Sequence, residues 1–239
     1  MNIGGIQHLT LIDYPSKLAT TVFLSSCNFR CGFCYSSELV LPEKIKNQPK
    51  ISENDFFDFL EIRKELLEGV VICGGEPTVN EELPKFIQKI KDMGYVVKLD
   101  TNGSNPEMLK DLINKKMIDY VAMDIKGPLE KSESNINSKY EKIIGVKIDL
   151  DKIKNSIDII KNSGIDYEFR TTIVPGIHTK KDIISIVKEI SGAKKYYLQN
   201  FRPEKTIDLV FEKMKPYSDE YILNIKKAIS PFFEVCEIR

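Results

Sequence analysis

Ala19-Thr20-Thr21-Val22-Phe23-Leu24-Ser25-Ser26-Cys27-Asn28-Phe29-Arg30-Cys31-Gly32-Phe33-Cys34 is the stretch on which the fold turns. Residues 19–24 are apolar or β-branched and read as a buried strand. The strand empties into a loop with three cysteines spaced C-x3-C-x2-C. Thiolates at the C-terminal end of a strand stand where α/β proteins carry their chemistry. Three close thiolates suit a soft metal centre. A structural zinc site closes with four ligands, yet Cys73 and Cys236 are isolated and His8 and His178 lie far off in sequence. A 4Fe–4S cluster takes one outer ligand per iron, normally a cysteine. Three cysteines would leave the fourth iron open to a substrate or cofactor. Two other readings stay open: a three-cysteine zinc site with a distant fourth ligand, and reduced structural thiols.

Working outward, the alternation of strand and helix continues. Residues 9–15 suggest an edge strand and a turn at Pro15, and 39–50 a connection. Ser52 caps a helix with Asp55 three residues on, and an apolar stripe runs through Phe56, Phe59, Leu60, Leu66 and Leu67 to a closing Gly69. Strands follow at 70–72, 96–99, 120–125, 167–174 and 195–198, with helices at 83–93, 106–115, 151–163 and 179–190 between them. Residues 127–146 are polar and partly irregular. A last helix at 218–230 precedes a closing strand at 232–238. Six strand–helix units imply a mostly parallel sheet covered by helices. They fall short of the eight of a full barrel. The fold class expected is α/β, a single-domain partial (β/α)6 barrel over 1–239, with a lead-in at 1–18, core units at 19–200 and a C-terminal helix and strand at 201–239. A doubly wound sheet is the alternative.

Lys plus Arg number 35 and Asp plus Glu 35, so the formal charge is zero and no basic excess points to nucleic acid. No apolar run approaches the roughly 20 residues of a membrane span, and no secretory signal opens the chain. Five cysteines, three of them crowded, read as metal chemistry in a reducing compartment, so a cytoplasmic location is expected.

Unusual residues collect at the other strand ends. Gly74-Gly75-Glu76-Pro77 frees the backbone to approach a ligand and adds a carboxylate that can accept from an ammonium group; a tight turn with a solvated Glu is the plainer reading. Asp100-Thr101-Asn102-Gly103 and Asp124-Ile125-Lys126 place two carboxylates that could hold a hard cation, bind ribose hydroxyls or pair with Lys126, or simply cap loops. Arg170 in a strand, if inward, needs an anionic partner. Gln199 and Asn200 end the strand at 195–198. Cys73 and Cys236 read as small core residues, and His178 as a loop residue.

C-x3-C-x2-C with an aromatic, Phe33, between the last two cysteines resembles the cluster motif of the radical S-adenosylmethionine (SAM) superfamily. The resemblance implies that Cys27, Cys31 and Cys34 bind a 4Fe–4S cluster whose open iron is chelated by SAM. One electron would then cleave SAM to methionine and a 5′-deoxyadenosyl radical. Gly74, Gly75 and Glu76 resemble the segment that binds the SAM amino group. D-T-N-G and D-I-K are similar to the glycyl-radical-enzyme activating branch. There Asp100, Thr101 and Asp124 would bind a monovalent cation beside SAM, with Lys126 close to SAM. Arg170 opens an R-x-x-x-V-P-G pattern that implies a contact with the SAM carboxylate. Gly4-Gly5-Ile6-Gln7, Leu11-Ile12-Asp13-Tyr14-Pro15 and Tyr140-x-x-Ile143-Ile144-Gly145 resemble activating proteins of anaerobic ribonucleotide reductase. That group usually follows its third cysteine with His or Trp, then Asn; this chain has Tyr35-Ser36. The resemblance implies a glycyl radical enzyme as partner and a low-potential electron donor such as flavodoxin or ferredoxin. A radical SAM enzyme acting on a small molecule, as in deazaguanine synthesis, would share these motifs. A non-enzymatic zinc-binding module is the reading of another class.

Overall fold

The computed structural model describes residues 1–130 and 138–239. Part of the polar stretch read at 127–146 therefore lies outside the described residues. The chain forms two compact units, interleaved in sequence.

The first unit takes in 1–28, 38–101 and 107–121. Its strands β1 (Ile3–Thr10), β2 (Ala19–Leu24), β3 (Gly69–Gly74) and β4 (Val96–Thr101) lie side by side in chain order. β1 is an antiparallel edge, while β2, β3 and β4 run parallel, with Val22 opposite Ile72 and Val71 opposite Lys98. β3 is apolar through its buried run 69–72, as a strand covered on both faces should be, and β2 adds two buried threonines, Thr20 and Thr21, whose hydroxyls donate to Gln7 O and Asp13 Oδ2. Two four-residue helices, α1 (Ser37–Val40) and α2 (Pro42–Ile45), lie where a plain connection was expected. α3 (Glu53–Ile62) starts at the expected capping box, Ser52 with Asp55. It stops earlier than expected. Glu68 is needed at the sheet, where its carboxylate accepts from Leu18 N at 3.0 Å and Lys17 Nζ at 2.9 Å. Gly69 accordingly opens β3 rather than closing the helix. α4 (Leu83–Asp92) stacks Phe86 on Phe56 of α3 at 5.5 Å between centroids.

The second unit takes in 29–37, 102–106 and 122–239. α5 (Pro106–Asn114) and β5 (Tyr120–Asp124) begin in one unit's residues and end in the other's. α6 (Lys139–Ile144) carries a capping box, Ser138 with Glu141, and ends on Gly145 in the left-handed region at φ 71°. α7 (Leu150–Lys161), β6 (Asp166–Ile173), α8 (Lys180–Glu189), β7 (Lys195–Asn200), α9 (Asp219–Ile229) and β8 (Val235–Ile238) follow. β6, β7 and β8 are parallel neighbours, with Arg170 opposite Tyr197 and Tyr196 opposite Cys236. Cys236 is a core thiol that burial pushes up to about 11, an inert residue as expected. Among the described residues no helix is long and apolar enough to cross a membrane.

Packing this dense predicts a steep contrast. Phe86→Ala should cost about 3–5 kcal/mol of unfolding free energy. Ile62→Ala, at a side chain 81% exposed, should stay within about 0.5 kcal/mol. Urea denaturation of both variants checks the pair.

Candidate SAM and cluster site

In the first unit the chain between β2 and the cysteines is held from two sides. Ser26 N donates to Leu39 O at 2.8 Å, and Ser26 O accepts from Glu76 N at 2.8 Å. A Cβ on Gly74 would stand 2.2 Å from Leu24 O, and one on Gly75 2.0 Å from Ser26 O. The two glycines therefore let β3 close on the backbone that leads into Cys27, and Gly74 also sits at φ 119°. Glu76 is no solvated turn residue: it is 1% exposed. Its Oε1 accepts from Thr78 N at 3.1 Å, Thr78 Oγ1 at 2.5 Å and Thr101 Oγ1 at 2.7 Å. Asp100 meets the ammonium of Lys98, two residues earlier on the same face of β4.

In the second unit Cys31 and Cys34 share a tight turn, with Cys34 N donating to Cys31 O at 3.0 Å. Arg30 N donates to Ile144 O at 2.7 Å, beside Gly145, where a Cβ would stand 2.5 Å from Arg30 O. On the other side Asp208 N donates to Gly32 O at 2.9 Å and Ile207 N to Cys34 O at 3.1 Å. Phe33 is buried edge-on against Phe211 and His178, with centroids 6.2 and 6.5 Å away.

Asp124 is the hub of the charges here. Its Oδ1 accepts from Arg170 Nε at 2.8 Å and its Oδ2 from Lys126 Nζ at 3.0 Å. Burial alone would raise its carboxyl; the two cations outweigh burial and hold it well below the usual carboxylate range. Burial likewise works against the Lys126 ammonium, but Asp124 and then the charges of Cys31 and Cys34 raise it above its ordinary value. Arg170 Nη1 also lies 3.9 Å from Glu168, which is fully buried and receives Arg239 in a fork at 2.7 and 3.1 Å. The inward Arg170 thus has chain carboxylates as partners.

Sequence reasoning missed four residues of this arrangement. Lys98 and Glu168 are buried charges spaced two from Asp100 and Arg170, so the period of a strand could have flagged them. Arg239 left no local signal. His178 is not loop decoration: it is 1% exposed, accepts from Val174 N at Nδ1 (3.0 Å) and donates from Nε2 to Lys126 O (2.8 Å). Cys73 packs against the small core group of Tyr14, Ala19, Val71 and Tyr120. Asn200 donates through Nδ2 to Tyr217 O at 3.0 Å, while its buried Oδ1 has no hydrogen-bond partner.

The residues fit the cofactors the motifs imply. None of the five cysteines is joined in a disulfide. Cys31 and Cys34 lie close enough to Lys126 to act on its ammonium by charge. Among the described residues no three His, Cys, Asp or Glu side chains converge on a single ion; a four-iron cluster instead takes its thiolates on separate corners. A buried Glu76 carboxylate and the unmatched Asn200 Oδ1 suit the ammonium and amine donors of SAM.

Two outcomes are expected from these pairings. Arg239→Met should lower stability by roughly 2–3 kcal/mol, since it removes the forked partner of a buried carboxylate, and adding Glu168→Gln should restore part of the loss; equal losses in the single and double variants would contradict the pairing. Burial holds His178 below its ordinary value of 6.5, against the hydrogen bond to Lys126 O. The unfolded chain then takes up the proton first as pH falls, so this contribution is complete above about pH 6.5 and is lost below it. The urea midpoint should fall between about pH 7 and 5.5, and fall less in His178→Gln.

The pattern of the radical SAM superfamily matches residues 21–190. A Methanocaldococcus jannaschii protein, provisionally named a glycyl-radical enzyme activating enzyme, is 32% identical over 242 residues, covering 99% of this chain and 95% of its own. The 7-carboxy-7-deazaguanine synthase of Aquifex aeolicus is 32% identical over 96 residues, 39% of each chain. The crystal structure of Streptococcus suis SuiB superposes with a TM-score of 0.67 at 14% identity, over 92% of this chain, which spans about half of SuiB (48%). At that identity the likeness speaks for the fold alone, and it bears out the partial (β/α)6 barrel. With 21–190 matched and a relative aligned nearly end to end, the chain belongs to the radical SAM superfamily.

Proposed function

We propose that this chain is an activating enzyme that cleaves SAM reductively and generates a glycyl radical on a partner enzyme, an anaerobic ribonucleoside-triphosphate reductase. The observation that carries it is the extent of the M. jannaschii match, 99% of this chain, against 39% for the deazaguanine synthase. The lead-in motifs at 4–15 and the segment at 140–145 support the choice of partner.

In this reading Cys27, Cys31 and Cys34 hold a 4Fe–4S cluster, and Phe33 packs the loop beside it. When bound, the cluster supplies the electron, and SAM the group that abstracts hydrogen from the partner's glycine. Glu76 receives the SAM ammonium, its carboxylate aimed by Thr78 and Thr101. Gly74 and Gly75 seat that carboxylate by drawing β3 onto Leu24 and Ser26. Asp100 and Thr101 line the ribose side. Lys126 and Asp124 set the charge next to Cys31 and Cys34. Arg170, fixed by Asp124 and Glu168, offers its guanidinium edge to the SAM carboxylate. Asn200 Oδ1 takes an amine N–H. The electron comes from a low-potential flavodoxin or ferredoxin in the cytoplasm.

Anaerobic reconstitution with iron and sulfide, then reduction and addition of SAM, tests the reading. 5′-Deoxyadenosine should form, together with a glycyl-radical EPR doublet on the reductase. Cys31→Ala should abolish both while the chain still folds by circular dichroism. Cleavage without a doublet on any glycyl radical enzyme would move the substrate to small molecules, the reading that the deazaguanine synthase match favours. Undiminished cleavage by Cys31→Ala would refute the cluster assignment.

A further inference from the structure

Lys98 is a buried charge that the function above does not use. It is 1% exposed, among the largest fully buried side chains of the protein. Lysine is almost never buried to this degree unless paired. Its ammonium meets Asp100 Oδ1 and sits 5.8 Å from the centre of the Tyr120 ring, so a carboxylate and an aromatic face replace its water.

A monovalent cation beside SAM would need oxygen ligands from Asp100, Thr101 and Asp124. In the first unit Asp100 already faces Lys98, and the Thr101 hydroxyl is turned to Glu76 at 2.7 Å. In the second unit both Asp124 oxygens are engaged, Oδ1 by Arg170 and Oδ2 by Lys126. Three chain cations stand on these two carboxylates. An incoming sodium or potassium ion would have to displace a tethered ammonium or guanidinium and would meet like charge. The residues present do not fit the ion.

We propose that Lys98 is a built-in cation: its ammonium takes the place of the monovalent ion at Asp100, and the SAM site works without added sodium or potassium. A tethered cation is present at all salt compositions, whereas a free ion must be held at millimolar cost in concentration. The inference rests on the SAM-site reading for the location of the ion. Its test uses no SAM, so either can fail alone.

The full-length protein, exchanged into choline chloride, is titrated with sodium or potassium chloride at constant ionic strength. Thermal midpoint and sodium NMR line width are followed. The wild type should show no saturable response in either. Lys98→Met, which removes the ammonium from Asp100, should gain saturable sodium broadening and a midpoint rise of roughly 2–4 °C at saturation. Lys98→Met with Asp100→Asn should lose both gains. If Lys98→Met does not fold, Lys98→Gln takes its place under the same criteria. A saturable wild-type response that Asp100→Asn removes would overturn the proposal, as would a lysine variant that stays silent to both ions.

Discussion

Arg170 stands between two carboxylates, and the charges of the second unit depend on that position. Asp124 holds its Nε, and Glu168, two residues back on the same strand, lies behind it. Glu168 is fully buried, and Arg239 grips it from the other side in a two-pronged pair. The signs then alternate along Arg239, Glu168, Arg170, Asp124 and Lys126. Such a series is a poor source of net stability, since each charge gives up water to join it. Its contribution is positional. Each member is held by its neighbours in the series, so Lys126 is kept within reach of the charges of Cys31 and Cys34.

Hydroxyls do in the first unit what cations do in the second. Thr78 and Thr101 bond the Glu76 carboxylate without neutralising it. A carboxylate fixed by neutral donors keeps its charge for a cationic ligand, whereas one fixed by Lys or Arg has spent it. Hydroxyls thus aim Glu76, while cations stand on Asp100 and Asp124.

The strand ends were legible because short apolar runs followed by Gly, Asp or Cys are a local pattern. The strand read at 70–72 is the middle of Gly69–Gly74, and the helix cap at Ser52 with Asp55 is where the spacing placed it. The end of α3 was not legible, because Leu66 and Leu67 continue the apolar stripe while the chain turns to deliver Glu68 to Leu18. α1 and α2 span four residues each, about one turn, too short to show a period. Motif residues of the site were read by spacing. Their partners were not: Lys126 O and His178 are 52 residues apart, and Glu168 and Arg239 are 71 apart. Lys98 hid in plain view, a lysine among Val96, Val97 and Leu99 that composition assigns to solvent and strand period assigns to Asp100.

The cysteine loop carries one more implication, for how the protein is made. Its backbone bonds to Ile207 and Asp208, and Ser37 Oγ reaches Lys205 O across 168 residues of chain. Phe211 closes over Gly32, where even a methyl group would stand 2.8 Å from its ring. During synthesis the loop emerges first, and the segment that fastens it follows 168 residues later. Over that interval Cys31 and Cys34 ride on a loop without these bonds, and its final fastening waits for residues 205–211 to leave the ribosome. The cysteine turn is thereby completed by a part of the chain made long after it.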